Sequence, residues 1–181
     1  MNQLLFAIFF FLPAGLANAA PVFALKLPVL SSFNYPLDFY KKYNGKRVFG
    51  NHKTIRGLVA GVAVAIATVL LEQYLYAMYH PAFVPFAYDT LNPIVLGFLF
   101  GVGALGADAI KSFFKRQKGI TEGVSWIPWD QLDFILGACI LSALYVRLNI
   151  PQYLTIIILF FVLHLLAKAV GYFLKLNKYP I

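Results

Sequence analysis

Charged residues are scarce in this chain, and acidic residues are the scarcest of all. Only 12% of the 181 residues are charged, with seven aspartates and glutamates against fifteen lysines and arginines. A soluble domain usually has about 25% charged residues, whereas 61% of this chain is hydrophobic. The composition excludes an ordinary soluble domain. We expect a multi-pass protein of the cell membrane, folded as a single domain over residues 1–181.

Cysteine is almost absent, which excludes a disulfide framework. The single cysteine, Cys139, lies within an apolar segment, and we interpret it as a small residue of the protein core. The sequence contains no zinc-binding spacing and no serine–histidine–acid set. Neither zinc chemistry nor nucleophilic catalysis by a serine is therefore expected.

The positive charge does not indicate a nucleic-acid-binding protein. The formal net charge is +8, but the lysines and arginines lie in loops between apolar segments. That distribution is typical of membrane topology and of phosphate binding. We expect membrane lipid and phosphorylated ligands as partners, and no nucleic acid.

Five apolar segments dominate the remainder of the sequence. A transmembrane helix needs about 20 mainly apolar residues. The segments that approach this length are Leu4–Phe23, Leu58–Met78, Ile94–Ile110, Leu132–Leu148 and Tyr153–Leu174. They predict an all-α integral membrane protein with five transmembrane helices. Gly97 and Gly101 have the GxxxG spacing that allows two helices to approach closely.

Loop charges predict the orientation of these helices. Seven lysines and arginines lie between Lys26 and Arg56, none lies in residues 80–93, and four lie in residues 111–118. Arg147 is the only basic residue at the junction between the fourth and fifth segments, and the tail carries Lys175 and Lys178. Because basic loops face the cytoplasm, we expect the amino terminus outside and the carboxyl terminus inside.

The first apolar segment allows more than one interpretation. The tripeptide Ala-Asn-Ala at residues 17–19 resembles a signal-peptidase site, but no basic residue precedes Lys26. We therefore expect the segment to be retained. Asn18 lies between Pro13 and Pro21, and broken helices at membrane depth often line a binding site. A hydrogen bond from Asn18 to a neighbouring helix is the alternative.

A set of polar residues follows the third apolar segment. Asp108, Lys111, Ser112 and Lys115 have the spacing i, i+3, i+4 and i+7. If the helix continues beyond Ile110, these four side chains share one face. On the predicted topology they lie at the cytoplasmic face.

Asp130 and Asp133 form a second pair, at the start of the fourth segment. Their i, i+3 spacing also places them on one helix face, and together with Asp108 they would supply three carboxylates. Mg²⁺ prefers oxygen ligands and usually binds through one or two carboxylates plus substrate phosphates. These residues therefore indicate metal-dependent phosphate chemistry at the cytoplasmic face. The alternative is that they form simple helix ion pairs and a helix cap.

The first long loop contains a third polar element, G-K-R-V-F-G-N-H-K-T-I-R-G at residues 45–57. Glycine allows close backbone approach and cations neutralise phosphate, which makes Lys46, Lys53, Thr54 and Arg56 candidate phosphate ligands. The G-x-x-x-x-G-K-[ST] spacing of a P-loop is not present. A loop that merely obeys the positive-inside rule, or binds anionic headgroups, is the alternative.

These motifs resemble those of a known superfamily. S-F-F-K-R at residues 112–116, followed after a loop by D-Q-L-D at residues 130–133, resembles the S-x-x-K-R…D-R-x-D signature of CTP:phosphatidate cytidylyltransferases. That signature also has P-G-H-G-G in the loop, where this chain has Pro128-Trp129, and Gln131 replaces its arginine. Both departures, and the element at residues 45–57, are similar to features of the short branch of the superfamily, the CDP-archaeol synthases. The resemblance to this branch covers essentially the whole chain.

The resemblance implies a reaction and a set of residue roles. CTP and an unsaturated archaeol-type lipid phosphate would give the CDP-lipid and pyrophosphate, with Mg²⁺ as cofactor. The implied metal ligands are Asp108, Asp130 and Asp133. The implied catalytic residues are these three together with Lys111 and Lys115. The implied substrate-binding residues are Asn18, Lys46, Lys53, Thr54, Arg56, Ser112, Arg116 and Gln131.

Other functions fit the sequence less well. A CDP-diacylglycerol synthase acting on phosphatidate would share the same chemistry and differ only in the lipid. A CDP-alcohol phosphatidyltransferase needs D-x-x-D-G-x-x-A-R, and no such continuation follows Asp133. A small transporter would carry charge deep in several helices, whereas here the acidic residues cluster near one face. A non-catalytic scaffold is the remaining alternative.

Overall fold

The computed structural model describes residues 2–25 and 34–173. The predicted topology residues Lys26, Lys175 and Lys178, and the segment end at Leu174, lie outside the described residues. The helices are α1 Gln3–Ala24, α2 Ile55–Tyr79, α3 Pro93–Gln117, α4 Trp129–Ser142 and α5 Ile150–Phe173. A hairpin of β1 (Lys42–Tyr43) and β2 (Lys46–Arg47) precedes α2, and a 3₁₀ turn at Tyr88–Thr90 precedes α3.

Four of these helices, α1, α2, α3 and α5, are long and apolar enough to cross a membrane. The fourth predicted segment is wrong in its bounds, because α4 ends at Ser142 rather than at Leu148 and has 14 residues. At 1.5 Å per residue α4 is about 21 Å long, less than the roughly 30 Å of a bilayer core. The hydropathy of the sequence does not indicate that α4 ends at Ser142, because residues 143–146 are as apolar as the helix before them.

Helix α1 lies at the centre of the bundle and contacts the other four helices. Its aromatic side chains form the core together with partners from α3 and α5. The ring of Phe10 lies 5.3 Å from that of Phe100, and the ring of Phe11 lies 4.8 Å from that of Phe160, both in edge-on geometry. Such pairs contribute about 0.5–1.5 kcal/mol each beyond the area that they bury.

Helices α2 and α3 pack at close range through Gly97 and Gly101, as the GxxxG spacing predicts. A Cβ atom on Gly97 would lie 2.5 Å from Ile66 Cα, and one on Gly101 would lie 2.7 Å from Val62 Cα. Backbone atoms cannot move aside as a flexible side chain can. These glycines therefore set the distance between the helix that follows the first long loop and the helix that carries Asp108.

The bundle has two different ends. We call the end formed by loops 34–54 and 118–128, the last turns of α3 and the first turn of α4 the charged end. The opposite end contains loops 80–92 and 143–149. Helix α3 continues to Gln117, as predicted, and so brings the polar residues after Ile110 to the charged end.

Candidate active site

Three aspartates converge on a single ammonium group, that of Lys111. The Lys111 Nζ atom lies 3.1 Å from Asp108 Oδ1, 2.6 Å from Asp130 Oδ1 and 2.9 Å from Asp133 Oδ2. The four side chains are mostly buried, with exposed fractions between 6% and 17%. Two separate sequence motifs, one on α3 and one on α4, thus meet at one point.

Two further lysines complete this arrangement. Lys53, from the loop before α2, forms an ion pair with Asp108. Lys115 Nζ lies 2.8 Å from Asp130 Oδ2 and donates a hydrogen bond to the Val124 carbonyl at 2.6 Å. Buried charges are costly unless they are paired, and here three lysines balance three aspartates. We call these six side chains the lysine–aspartate cluster.

Local structure fixes the direction of the Asp130 carboxylate. Asp130 lies in the first turn of α4, where the helix dipole favours negative charge. Its Oδ2 atom also accepts a hydrogen bond from the backbone N–H of Trp126 at 2.6 Å. The carboxylate therefore bridges the loop before α4 and the lysines of α3.

Asp38 organises the loop that carries Lys53, a role that the sequence analysis missed. Its carboxylate accepts hydrogen bonds from Arg47 Nη2 at 2.6 Å and from the backbone N–H groups of Phe49, Gly50 and Tyr40. Burial alone would raise the pKa of Asp38, but these hydrogen bonds outweigh it and lower the pKa to about 2. The available signal was an aspartate, one of only seven acidic residues, close to a run of basic ones.

Glu122, which the sequence analysis also missed, joins the two loops of the charged end. Its Oε1 atom accepts a hydrogen bond from the backbone N–H of Asn51 at 3.0 Å, and its Oε2 atom lies 3.2 Å from His52 Nε2. Arg116 Nη1 lies 3.9 Å from Oε1. The two loops therefore close over the lysine–aspartate cluster.

Three cavities adjoin the cluster. A groove of about 660 Å³ between α3 and α4 is lined mostly by apolar side chains and reaches Lys111 and Asp133. A second cavity of about 400 Å³ lies between α1, α2 and the first loop, and reaches Asp108. A third, of about 150 Å³, lies beneath the two loops and is lined by basic residues together with Glu122. We call this third one the basic cavity.

The family can be identified from comparison with known proteins. The family model described as "CarS-like: CDP-archaeol synthase" matches residues 1–181. This chain belongs to the CDP-archaeol synthase family. It is 34% identical over 177 residues to the CDP-archaeol synthase of Methanospirillum hungatei JF-1, covering 93% of this chain and 99% of that protein. The corresponding protein of Sulfurisphaera tokodaii is 32% identical over 178 residues, covering 97% and 95%.

A solved structure agrees with this assignment. It belongs to an intramembrane enzyme for archaeal membrane lipid biosynthesis, with a TM-score of 0.71 and 32% sequence identity, covering 91% of this chain and 94% of that one. This chain is therefore a multi-pass membrane protein. CDP-archaeol synthases are CTP-dependent cytidylyltransferases, and this member of the family is an enzyme of that kind.

Several residues predicted from the resemblance to CDP-archaeol synthases lie around the cluster. Ser112 lines the basic cavity, and its hydroxyl donates a hydrogen bond to the Asp108 carbonyl at 2.8 Å. Arg116 lines the same cavity. Asn18 and Thr54 line the second cavity, and Thr54 also caps α2 by accepting a hydrogen bond from the Gly57 N–H.

Three other predicted residues have different surroundings. Lys46 donates a hydrogen bond to the Gln117 carbonyl at 2.7 Å, at the end of α3. Arg56 is 5% exposed and donates to Asn34 Oδ1 at 2.9 Å. Gln131 is fully buried, and neither its Oε1 nor its Nε2 has a hydrogen-bond partner among the described residues. The substrate-binding roles of these three residues stay predictions.

The three carboxylates of the cluster are chemically suitable ligands for a divalent metal ion. Within residues 2–25 and 34–173, no group of three or more His, Cys, Asp or Glu side chains is arranged to hold a metal ion. Asp133 Oδ2 is buried and lies 2.9 Å from Lys111 Nζ, although the geometry of this contact is not that of a hydrogen bond. Carboxylate oxygens are the ligands that Mg²⁺ prefers, and Mg²⁺ needs only one or two carboxylates when phosphates complete its shell.

Proposed function

We propose that the lysine–aspartate cluster catalyses cytidylyl transfer from CTP to an unsaturated archaeol-type phosphate, 2,3-bis-O-geranylgeranylglycerol 1-phosphate, with release of pyrophosphate. The observation that carries this proposal is the contact of Lys111 with three aspartates at the point where an apolar groove meets the basic cavity. An enzyme that joins a nucleotide to a lipid needs such a meeting point.

The groove between α3 and α4 suits the lipid substrate. It is lined by apolar side chains such as Ile110, Leu136 and Ile140 and ends at Lys111 and Asp133. Isoprenoid chains would lie along the apolar part because water is excluded there. The phosphate would then reach the ammonium groups of the cluster, while the phosphates of the nucleotide would lie in the basic cavity beneath the loops.

The reaction needs positioning and charge neutralisation more than it needs a base. A lipid phosphate oxygen attacks the α-phosphorus of CTP, and the bond to the pyrophosphate leaving group breaks. The attacking monoester has a second pKa of about 6 and is already largely ionised at neutral pH. Lys53, Lys111 and Lys115 would hold the two anions together and balance the charge that develops on pyrophosphate.

Asp108, Asp130 and Asp133 would hold Mg²⁺ together with the substrate phosphates. Bound Mg²⁺ would supply Lewis-acid stabilisation of phosphoryl oxygens. The aspartates also hold the lysines in place before substrate binds. In the structure Lys111 is directed by all three carboxylates, and Lys53 by Asp108.

We further propose the predicted topology of five transmembrane helices, with the amino terminus outside, the carboxyl terminus inside and the charged end in the cytoplasm, where CTP is made. The lysines and arginines of loops 34–54 and 118–128 support this orientation, since residues 80–93 at the opposite end contain none. Helix α4 would then carry the chain most of the way to the opposite end, and residues 143–149 would complete the crossing.

Substitution of Asp133 tests the assignment of the site. Asp133→Asn keeps the volume of the side chain but removes the charge, so we expect a loss of about 100-fold or more in pyrophosphate release from CTP with lipid phosphate. The matched control is Asp89→Asn, which removes an exposed carboxylate at the opposite end. Near-normal turnover of a correctly folded Asp133→Asn protein would refute the assignment.

A further inference from the structure

The groups that surround the Glu122 carboxylate are those that proteins use to bind phosphate. They are a backbone N–H (Asn51), an imidazole (His52) and a guanidinium (Arg116), all within 3.9 Å of the two carboxylate oxygens. Backbone N–H groups in turns and arginine side chains recognise the oxygens of phosphate and carboxylate alike. Glu122 therefore occupies a position that also fits one phosphate group.

The backbone at this position allows the close approach of an anion. Gly50 has φ of +96°, and a Cβ atom there would overlap Glu122 Oε1. Glycine removes this obstacle and leaves the following N–H group, that of Asn51, accessible. Asp38 holds the turn by accepting the N–H groups of Phe49 and Gly50.

The basic cavity extends this position toward the cluster. Its lining includes Lys53, Lys111 and Lys115 of the cluster as well as Arg116 and Glu122. The side chain of Arg116 is only 11% exposed, and its Nε atom has no hydrogen-bond acceptor among the described residues. A buried donor without an acceptor is costly, and an anion larger than one carboxylate would satisfy it.

We propose that the Glu122 carboxylate is an internal substitute for a phosphate group, which the triphosphate of CTP displaces when it binds. This proposal rests on the proposed function of the cluster. Before CTP binds, Glu122 accepts a hydrogen bond from the Asn51 N–H, contacts His52 and Arg116, and holds the two loops together. When CTP binds, the phosphates farthest from the reacting α-phosphorus take these contacts, and the Glu122 side chain moves toward solvent, where 30% of it is already exposed.

The displacement has a measurable consequence. When a ligand binds only one of two states, its apparent affinity equals its intrinsic affinity multiplied by the fraction of molecules in that state. If Glu122 masks the position in about 70–90% of molecules, removal of its carboxylate should tighten CTP binding about threefold to tenfold. The same change would not improve catalysis at saturating CTP, because Glu122 would already be displaced there.

The experiment measures the binding of CTP, inorganic pyrophosphate and cytidine to purified full-length protein in detergent, by titration calorimetry, for wild type, Glu122→Gln and Glu122→Ala. We expect CTP and pyrophosphate to bind more tightly to both variants, and more so to Glu122→Ala, since glutamine still offers an oxygen to the Asn51 N–H. Cytidine, which has no phosphate, should bind equally to all three. Asp89→Asn is the control for the change in net charge.

Two outcomes would overturn the proposal. Unchanged or weaker binding of CTP and pyrophosphate to both variants would make Glu122 a structural link between the loops. Equal tightening for cytidine would mean that the loops had opened in general. Failure of the proposed function is distinguishable, because wild-type protein would then bind CTP without releasing pyrophosphate when lipid phosphate is present.

Discussion

The two ends of the bundle bury carboxyl groups in opposite ways. At the charged end, Asp108 and Asp130 each pair with two lysines, and Asp133 pairs with Lys111. At the opposite end, Glu72 is 2% exposed, and its Oε2 accepts a hydrogen bond from the Tyr88 hydroxyl at 2.5 Å. Its Oε1 has no partner in the described part of the chain. One end pairs full charges, and the other relies on a hydrogen bond.

We interpret this difference as a division between a catalytic end and a structural end of the bundle. Paired charges beside cavities can exchange partners when an anionic substrate binds. The contacts of the lysines with the substrate then replace the ion pairs that are lost. The contact of Glu72 with Tyr88 instead fastens loop 80–92 to α2, as does Gln73, which donates to the carbonyls of Tyr88 and Leu91. We expect substitutions at the charged end to change activity first, and substitutions at the opposite end to change stability alone.

Removal of Lys111 should have the largest effect. Lys111→Gln leaves three buried carboxylates without their shared cation, which should cost about 3–5 kcal/mol of folding stability. Turnover should fall about 100-fold or more, because the charge that neutralises the reacting phosphates is lost. Pyrophosphate release and thermal unfolding measure the two effects. Lys42→Gln, at an exposed strand position, is the control, and more than a tenth of wild-type turnover in Lys111→Gln would contradict the account.

Substitution of Asp38 should show a smaller effect that depends on pH. The pKa of Asp38 is lowered from 3.8 to about 2 in the folded protein. Ionised Asp38 therefore contributes about 2 kcal/mol of stability above pH 5, and this contribution disappears as the pH falls through 3.8 toward 2. The difference in unfolding free energy between wild type and Asp38→Asn should shrink from pH 5 to pH 2. A difference that stays constant over this range would contradict the assignment.

Substitution of Tyr88 should have the smallest effect on function. Tyr88→Phe removes the hydrogen bond to Glu72 and leaves a buried carboxyl group without its donor, which costs about 1–3 kcal/mol. Because Tyr88 lies at the end opposite the cluster, KM and kcat should stay within about twofold of wild type at a temperature where the protein is folded. Loss of turnover in a folded Tyr88→Phe protein would show that the two ends are coupled.

The helical segments and the members of the cluster could be predicted from the sequence because both have local periodic signals. Apolar length gave four of the five helices to within a few residues at most ends, and the i, i+3, i+7 spacing placed Asp108, Lys111 and Lys115 on one face. The meeting of Asp130 with Lys111 required the additional step of joining two helix ends, for which the predicted topology supplied the reason because it placed both ends at the cytoplasmic face.

Other features could not be predicted because they depend on contacts between distant loops. Glu122 contacts Asn51 across 71 positions in the chain, and no spacing rule connects them. The end of α4 at Ser142 lies within an apolar stretch, and the composition of residues 143–146 does not distinguish them from the helix. The hydrogen bond from Lys46 to the Gln117 carbonyl, 71 positions away, likewise has no signal in the sequence.

The most direct test of the account is pyrophosphate release by the purified protein with CTP and Mg²⁺, with archaeol-type phosphate compared against phosphatidate. The account predicts release with the isoprenoid ether lipid and little with phosphatidate. Release with phosphatidate alone would contradict the lipid assignment while retaining the chemistry. Absence of release with either lipid from folded protein would contradict the claim that the lysine–aspartate cluster transfers a cytidylyl group.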